Sequence, residues 1–221
     1  MRPQMNSSNT LSLDLADLSG LIFRSAHCDR EMDAILECRW KGYRRYGFDS
    51  PAACRDVFDD RAIQFVCEDS ESQQILGCLR LLAYSARPFE VETYVEVSRW
   101  LPSSMSVAEL TRFSVPVCRR LTAIKCGLWK LAWLEAIAKG HTHFLIWTTE
   151  QKKRMYEYLG FTPYPNDSVT FLHPVLGNNS HMMMLVDLTT VADLFRRTRP
   201  ELHRFFFEMN HPNVRLSVRE I

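Results

Sequence analysis

The run Glu109-Leu110-Thr111-Arg112-Phe113 sets a carboxylate and a guanidinium close together, where an apolar extended stretch gives way to a long helix. Burial beside Phe113 and Val115 would raise a carboxylate's pKa toward the range useful for taking a proton. A neighbouring arginine can grip an anion through parallel N–H bonds. The same two residues can equally form a structural ion pair, and the sequence leaves both readings open. Side chains alternate along a strand, so positions 109 and 112 share a face only across a bulge or at the strand's end.

Other charged residues stand in unusual surroundings. Arg80 interrupts the apolar run Ile75–Leu82, where an unpaired charge is costly, so it requires a partner in the protein or in a substrate. Asp56 and Asp59 lie in the loop opened by Asp49-Ser50-Pro51. Such a pair can hold an ammonium group or simply bond its own turn. Arg119, Arg120 and Lys125 gather where the long helix begins, a place unfavourable to cations unless an anion joins them. His141 and His143 have no further ligand at metal spacing, so no metal site is expected. Cys118 and Cys126 lack an obvious histidine partner for nucleophilic chemistry. Glu96-Val97-Ser98-Arg99-Trp100 imitates the run at Glu109 but leads into Leu101-Pro102 rather than a helix.

The elements that must position these residues follow from periodicity. Apolar spacing predicts a helix over 28–46 carrying Arg39, with Gly47 as its stop. A hairpin is expected from 62–67 and 74–84, an irregular segment over 85–106, and a strand over 107–115 ended by Pro116. A long helix then reaches Lys139, with Gly140 as its stop. A buried strand at 144–147, a short helix over 149–159, and strands near Phe161 and over 182–188 complete the core. Trp129 and Trp133 read as core residues, and Met182-Met183-Met184 as an alternating buried strand. Residues 1–18 read as a loosely ordered arm, 19–190 as one domain, and 191–221 as a helical extension interrupted by Pro200 and packed on it. The fold class is α/β, a sandwich of a mixed sheet and helices.

Composition bounds the partners. The chain has 221 residues, 46% of them hydrophobic, and a formal net charge of +1, which argues against general nucleic-acid binding. Its seven cysteines lack CxxC spacing and read as reduced thiols of a cytoplasmic protein. No apolar run has membrane-spanning length, and the N-terminal residues lack a signal-peptide core.

This order, with Tyr156-Glu157-Tyr158-Leu159-Gly160-Phe161 after the short helix, resembles the Gcn5-related N-acetyltransferase (GNAT) superfamily. Four patterns, in order, are similar to its acyl-homoserine-lactone synthases and N-acyl amino acid synthases. They are Arg39 with Tyr43, Asp56-Val57-Phe58-Asp59, Gly77-Cys78-Leu79-Arg80-Leu81-Leu82, and Glu109-Leu110-Thr111-Arg112-Phe113. The tryptophan usual between the first two patterns is missing, with Tyr46 and Phe48 nearby. The stretch from Tyr164 through His173-Pro174 to Leu188 looks more like the amino acid branch.

The resemblance implies a largely antiparallel sheet with helices on both faces. It also implies transfer of a long-chain acyl group from the phosphopantetheine thioester of acyl carrier protein, or from acyl-CoA, to the α-amino group of an amino acid. Alternatives are lactone (autoinducer) synthesis with S-adenosylmethionine, acetyl-CoA-dependent acetylation, and a non-catalytic sensor of acyl ligands or carrier protein. The implied roles are catalytic for Glu109 and Arg112, and substrate-binding for Arg39, Asp56, Asp59, Arg80, Thr111 and Phe113. Arg119, Arg120 and Lys125 would engage the carrier protein or its prosthetic group, because the glycine-rich phosphate loop of acetyl-CoA enzymes is reduced here to Gly127. No tightly bound cofactor and no nucleic-acid partner is implied, and membrane contact would be peripheral, through the lipid product.

Overall fold

The structure, a computed structural model, describes residues 17–165, 169–173 and 179–217. The expected N-terminal arm therefore lies almost wholly outside the described residues, as do the last four residues of the chain. The elements follow in the order β1 (Leu21–Ser25), α1 (Cys28–Tyr43), β2 (Ile63–Asp69), β3 (Ile75–Leu82), β4 (Val107–Ser114), α2 (Leu121–Ala138), β5 (His143–Thr149), α3 (Glu150–Tyr158), β6 (Thr162–Pro163), β7 (Thr170–His173), β8 (Asn179–Asp187), α4 (Val191–Thr198) and α5 (Pro200–His203).

They build an eight-stranded sheet in the order β1-β2-β3-β4-β5-β8-β6, with β7 also on β8. All neighbours are antiparallel except β4 and β5, which are joined by the α2 crossover. Helices lie on both faces. Against one face, α2 sets Leu128, Leu131 and Trp133 on Phe23, Leu81, Leu110, Phe144 and Ile146. The other face divides between α1, which buries Met32, Ile35 and Leu36 on Val66 and Cys78, and the irregular segment after β3, which buries Phe89, Val91, Val97 and Leu101 on Leu82, Val107 and Leu145. The methionine run alternates as expected: Met182 and Met184 join the first core and Met183 the second.

Several boundaries depart from expectation. The 28–46 helix ends its α-helical part at Tyr43 and tightens over Arg44–Tyr46 before Gly47 at φ +92. Strand β7 lies too close to β8 in sequence, and is too short, to announce itself by alternation; only its pairing with β8 defines it. Pro200 opens α5 at its first position, where its missing N–H costs nothing, rather than interrupting a helix. Beyond Glu208 the tail is extended, and Val214 bridges Phe23 at the free edge of β1.

Gly127 is an internal residue of α2 on which the Phe23 ring lies directly. A Cβ there would meet Phe23 Cζ at 2.2 Å, inside a fully buried site. Its small size thus serves packing of α2 on β1 and has no connection with a phosphate loop. Alanine would gain about 1 kcal/mol of helix propensity, but overpacking costs about 1–3 kcal/mol. Gly127→Ala should therefore lower the urea midpoint, with an unchanged m-value; an equal or higher midpoint would contradict this packing.

Candidate active site

The parallel pairing of β4 and β5 is short. It spans only Val107↔His143, Ala108↔Phe144 and Glu109↔Leu145, after which the strands diverge. Their separation opens a cleft of about 540 Å³, lined by Leu110–Phe113 of β4, Trp147–Thr149 of β5 and Glu150–Lys152 with Tyr156 of α3. Tyr43, Arg45 and Tyr46 from the end of α1, and Asn179–His181 of β8, complete its walls. Past Glu109, the cleft-side edge of β4 faces no strand, so its backbone groups are open to a ligand.

Of the two ways in which positions 109 and 112 could share a face, the bulge is the one present. Cys78 pairs with Ser114 while Arg80 pairs with Thr111, so β4 carries one extra residue. Arg112 takes it up with φ +53, a left-handed conformation that a residue with a Cβ rarely adopts. The bulge turns Arg112 toward the α1 face, the face that Arg80 and Glu109 already occupy. Tyr43 steadies the same turn by donating to the Phe113 carbonyl at 3.0 Å.

Behind the cleft lies a closed ionic network. Arg39 forks onto Asp59 at 2.9 and 3.0 Å and reaches Gln64 at 2.8 Å. Arg80 donates to Thr111 Oγ1 at 2.9 Å, Asp56 at 2.6 Å, Asp59 at 2.9 Å and Glu90 at 2.5 Å. Arg112 joins Asp56 and, at 2.7 Å, Glu90. Three guanidinium groups thus meet three carboxylates, which neutralises the buried charge. Burial works against the charge on Asp56, but Arg80 and Arg112 outweigh it and its pKa falls. At Asp59 burial is likewise outweighed, here by Arg39 and then Arg80, and the carboxyl is held well below the usual range.

The expected substrate ligands therefore divide. The side chains of Arg39, Asp59 and Arg80 expose nothing and, Arg39 Nε apart, bond within the protein, so they cannot meet an acceptor directly. They fix Arg112 and Asp56 instead. Thr111, Arg112 and Phe113 do line the cleft. Asp56 keeps a fifth of its side chain accessible.

Glu109 is also not where a direct base would stand. Its carboxyl is fully buried, with Oε2 accepting from Glu90 N at 2.6 Å and Oε1 from Val91 N at 2.9 Å and Trp147 Nε1 at 3.2 Å. The Trp147 indole reaches the cleft, whereas Glu109 does not. Burial, and then the neighbouring Glu90, raise its pKa to about 8 despite the two backbone donors. Glu109 and Arg112 share a face but do not pair; Glu109 supports Trp147 and the 90–92 turn.

The basic cluster separates too. Arg120 bends back to the Asp17 and Ser19 carbonyls at the start of β1. Lys125, half-buried on α2, is instead close enough to Lys152 at the cleft that burial and that second cation lower its pKa. Arg119 makes no cleft contact. Glu96 and Arg99 merely pair with each other in solvent.

Sequence reasoning missed Glu90, Trp147 and the histidines of β7 and β8. Trp147 and His173 stack at 4.7 Å, His181 meets the Trp147 edge at 5.2 Å, and Tyr94 bonds His173 at 3.2 Å. Glu90 carried no signal, since it lies in the irregular segment. The histidines were legible only as alternate positions of a pair of strands, one of which was itself unseen.

A sheet of mixed strands whose two parallel members splay around a cleft, with helices on both faces, is the GNAT fold. Solved structures bear this out. The chain is similar to FeeM, an N-acyl amino acid synthase from uncultured soil microbes, with a TM-score of 0.61 at 17% identity over 78% of this chain and 93% of that one. It is similar to BjaI, a CoA-dependent acyl-homoserine lactone synthase, with a TM-score of 0.57 at 18% identity over 80% and 89%. It is also similar to an N-acetyltransferase from Staphylococcus aureus Mu50, with a TM-score of 0.53 at 17% identity over 77% and 99%. No protein-family model matches the sequence, and no curated protein matches it. No helix among the described residues is long and apolar enough to cross a membrane.

Proposed function

We propose that this protein is an N-acyltransferase that moves a fatty acyl group from acyl carrier protein to the α-amino group of an amino acid. The observation that carries the reading is the cleft between β4 and β5, which has chemically different walls on the two faces of the sheet. On the α2–α3 side stand Lys125 and Tyr156, with Lys152 of α3 at the cleft, its Nζ 5.8 Å from the Tyr46 ring across it. Burial, and then Lys152, lower the Lys125 pKa; an anion beside them relieves that strain, and the phosphate of a phosphopantetheine arm supplies one. Burial raises the Tyr156 pKa, so its hydroxyl keeps its proton and can bond the departing sulfur.

On the α1 side stand Arg112, Tyr43 and Tyr46 beside the partly accessible Asp56. A guanidinium next to a carboxylate suits the zwitterion of an amino acid, its carboxylate toward Arg112 and its amine toward Asp56. The acyl carbonyl would lie against the unpaired edge of β4, whose N–H groups can stabilise the oxyanion. The apolar cluster of Leu145, Phe171 and Met183 beneath Trp147 supports a fatty rather than an acetyl donor. The similarity to FeeM supports an amino acid as acceptor.

The test incubates the purified chain with acyl carrier protein or coenzyme A donors of several lengths, mixed amino acids and S-adenosylmethionine, with mass spectrometry of the products. An N-acyl amino acid is expected. A homoserine lactone, or acetyl transfer alone, would replace this reading. Lys125→Glu combined with Lys152→Glu should raise KM for the carrier-protein donor about tenfold, the size of one or two surface charge contacts. The kcat should stay within about twofold, because those contacts are equal in ground and transition states.

A further inference from the structure

His181 stands at the cleft on the same face of the sheet as Arg112 and Trp147, since it alternates with Met183 along β8 and packs on Phe171 and Trp147. Its tautomer is fixed. Nδ1 lies 2.8 Å from the Asn179 carbonyl, which can only accept, so the ring proton is on Nδ1. Nε2 is then a bare lone pair, and among the described residues the hydrogen bond His181 makes is through Nδ1. An oriented, neutral imidazole with an open nitrogen on the wall of a cleft is the arrangement a proton acceptor needs.

From this, and resting on the acyltransferase reading above, we infer that His181 is the catalytic base of the reaction. The acceptor's ammonium first gives up one proton to solvent, and the neutral amine then attacks the thioester carbonyl carbon, forming the C–N bond. The proton that the nitrogen then sheds passes to His181 Nε2. The C–S bond breaks as the carbonyl re-forms, and the thiolate takes its proton from solvent or through the Tyr156 hydroxyl, leaving amide and free thiol. Base and leaving-group donor lie on opposite faces of the sheet, with His181 on the α1 side and Tyr156 on the α3 side. That is the placement required when nucleophile and leaving group flank one carbonyl.

The surroundings keep the imidazole neutral. Burial, and then Lys152 from α3, lower its pKa, against the opposing Asn179 bond. Arg112 of β4 and Arg45 of α1 also line the cleft, and His173 of β7 lies 5.5 Å away, ring to ring. No carboxylate of these elements pairs with His181 to pull its pKa back up, Glu150 of α3 being the acidic member of the cleft lining.

The test measures kcat at saturating substrates from pH 5 to 9, where it reports groups in the bound complex. The wild type should lose activity through one protonation below about pH 6.5. His181→Gln should lower kcat about 100-fold or more and abolish that acidic limb, and His181→Ala should regain activity with added imidazole. Retention of the limb and of wild-type kcat in His181→Gln, with the wild type making N-acyl product, overturns the role of His181 alone. A wild type that makes no N-acyl product overturns the acyltransferase reading and this inference with it. Should both variants fail to fold, the ¹⁵N shifts of the wild-type ring decide. Protonation at Nδ1 with bare Nε2 at pH 7 is expected, and the opposite tautomer overturns the assignment.

Discussion

Arg80→Met is expected to be the most destabilising single substitution in the network, costing about 3–5 kcal/mol, as the loss of one partner of a buried ion pair does. The side chain is inaccessible to solvent, and its guanidinium bonds Thr111, Asp56, Asp59 and Glu90 together. Methionine fills most of the volume but leaves three carboxylates to share Arg39 and Arg112, a buried negative charge without compensation. Against a total stability of about 5–15 kcal/mol, this removes a large fraction. The mechanism makes a second statement that simple loss of packing does not. Adding Glu90→Gln restores equal numbers of buried positive and negative groups, so Arg80→Met/Glu90→Gln should be more stable than Arg80→Met by about 1 kcal/mol or more. Urea unfolding of the two single variants and the double closes the cycle. A loss below about 1 kcal/mol, or strictly additive effects, would mean that the network's charges are not coupled as their distances imply.

That network marks where the sequence was legible and where it was not. Arg80 in an apolar run required a partner, because no other solution tolerates a charge there, and the partners are present. Positions 109 and 112 could share a face only across a bulge or at the strand's end, and Arg112 supplies the bulge at φ +53. The stops at Gly47 and Gly140 were legible because only glycine enters the left-handed region freely, and both sit at positive φ. Residues whose role depends on distant backbone were not legible. Glu90 enters the site only because the irregular segment folds back over β3 and β4, and Glu109 turns away from the cleft because two N–H groups of that segment meet it. Arg120 read as an anion ligand until the carbonyls of Asp17 and Ser19 proved to occupy it. Period and propensity describe elements; they do not say which loop lies over which strand.

Glu109 should make the protein less stable as pH rises from 6.5 to 8, the reverse of what a paired surface carboxylate does. Its folded pKa is raised to about 8 by burial and by Glu90, above its ordinary value of 4.5. Between those two values the native state holds a proton that the unfolded chain has released, so unfolding is increasingly favoured as pH climbs. Other groups confine the clean window. The histidines with lowered pKa, His173 among them at about 4, add stability with rising pH only up to their unfolded value of 6.5. Lys130, buried against the Met209 carbonyl and lowered to about 8, begins to add stability only above that pH. Cys78 and Lys125, whose pKa values are also lowered, add stability with rising pH and work against this fall. The Glu109 contribution from 6.5 to 8, about 1.5 kcal/mol, is therefore read as a difference in slope between the wild type and Glu109→Gln. Glu109→Gln cannot titrate at this position, so its stability should lack this fall. Its absolute level is a poor readout, because the new amide N–H confronts the Glu90 N–H and costs about 1–3 kcal/mol at every pH. The slope is the test. Urea unfolding at pH 6.5, 7.25 and 8 should show the wild type losing about 1.5 kcal/mol relative to Glu109→Gln across the window. Parallel lines would mean that Glu109 is ionised in the fold, held by its three N–H donors, and that Trp147 is anchored by a charge.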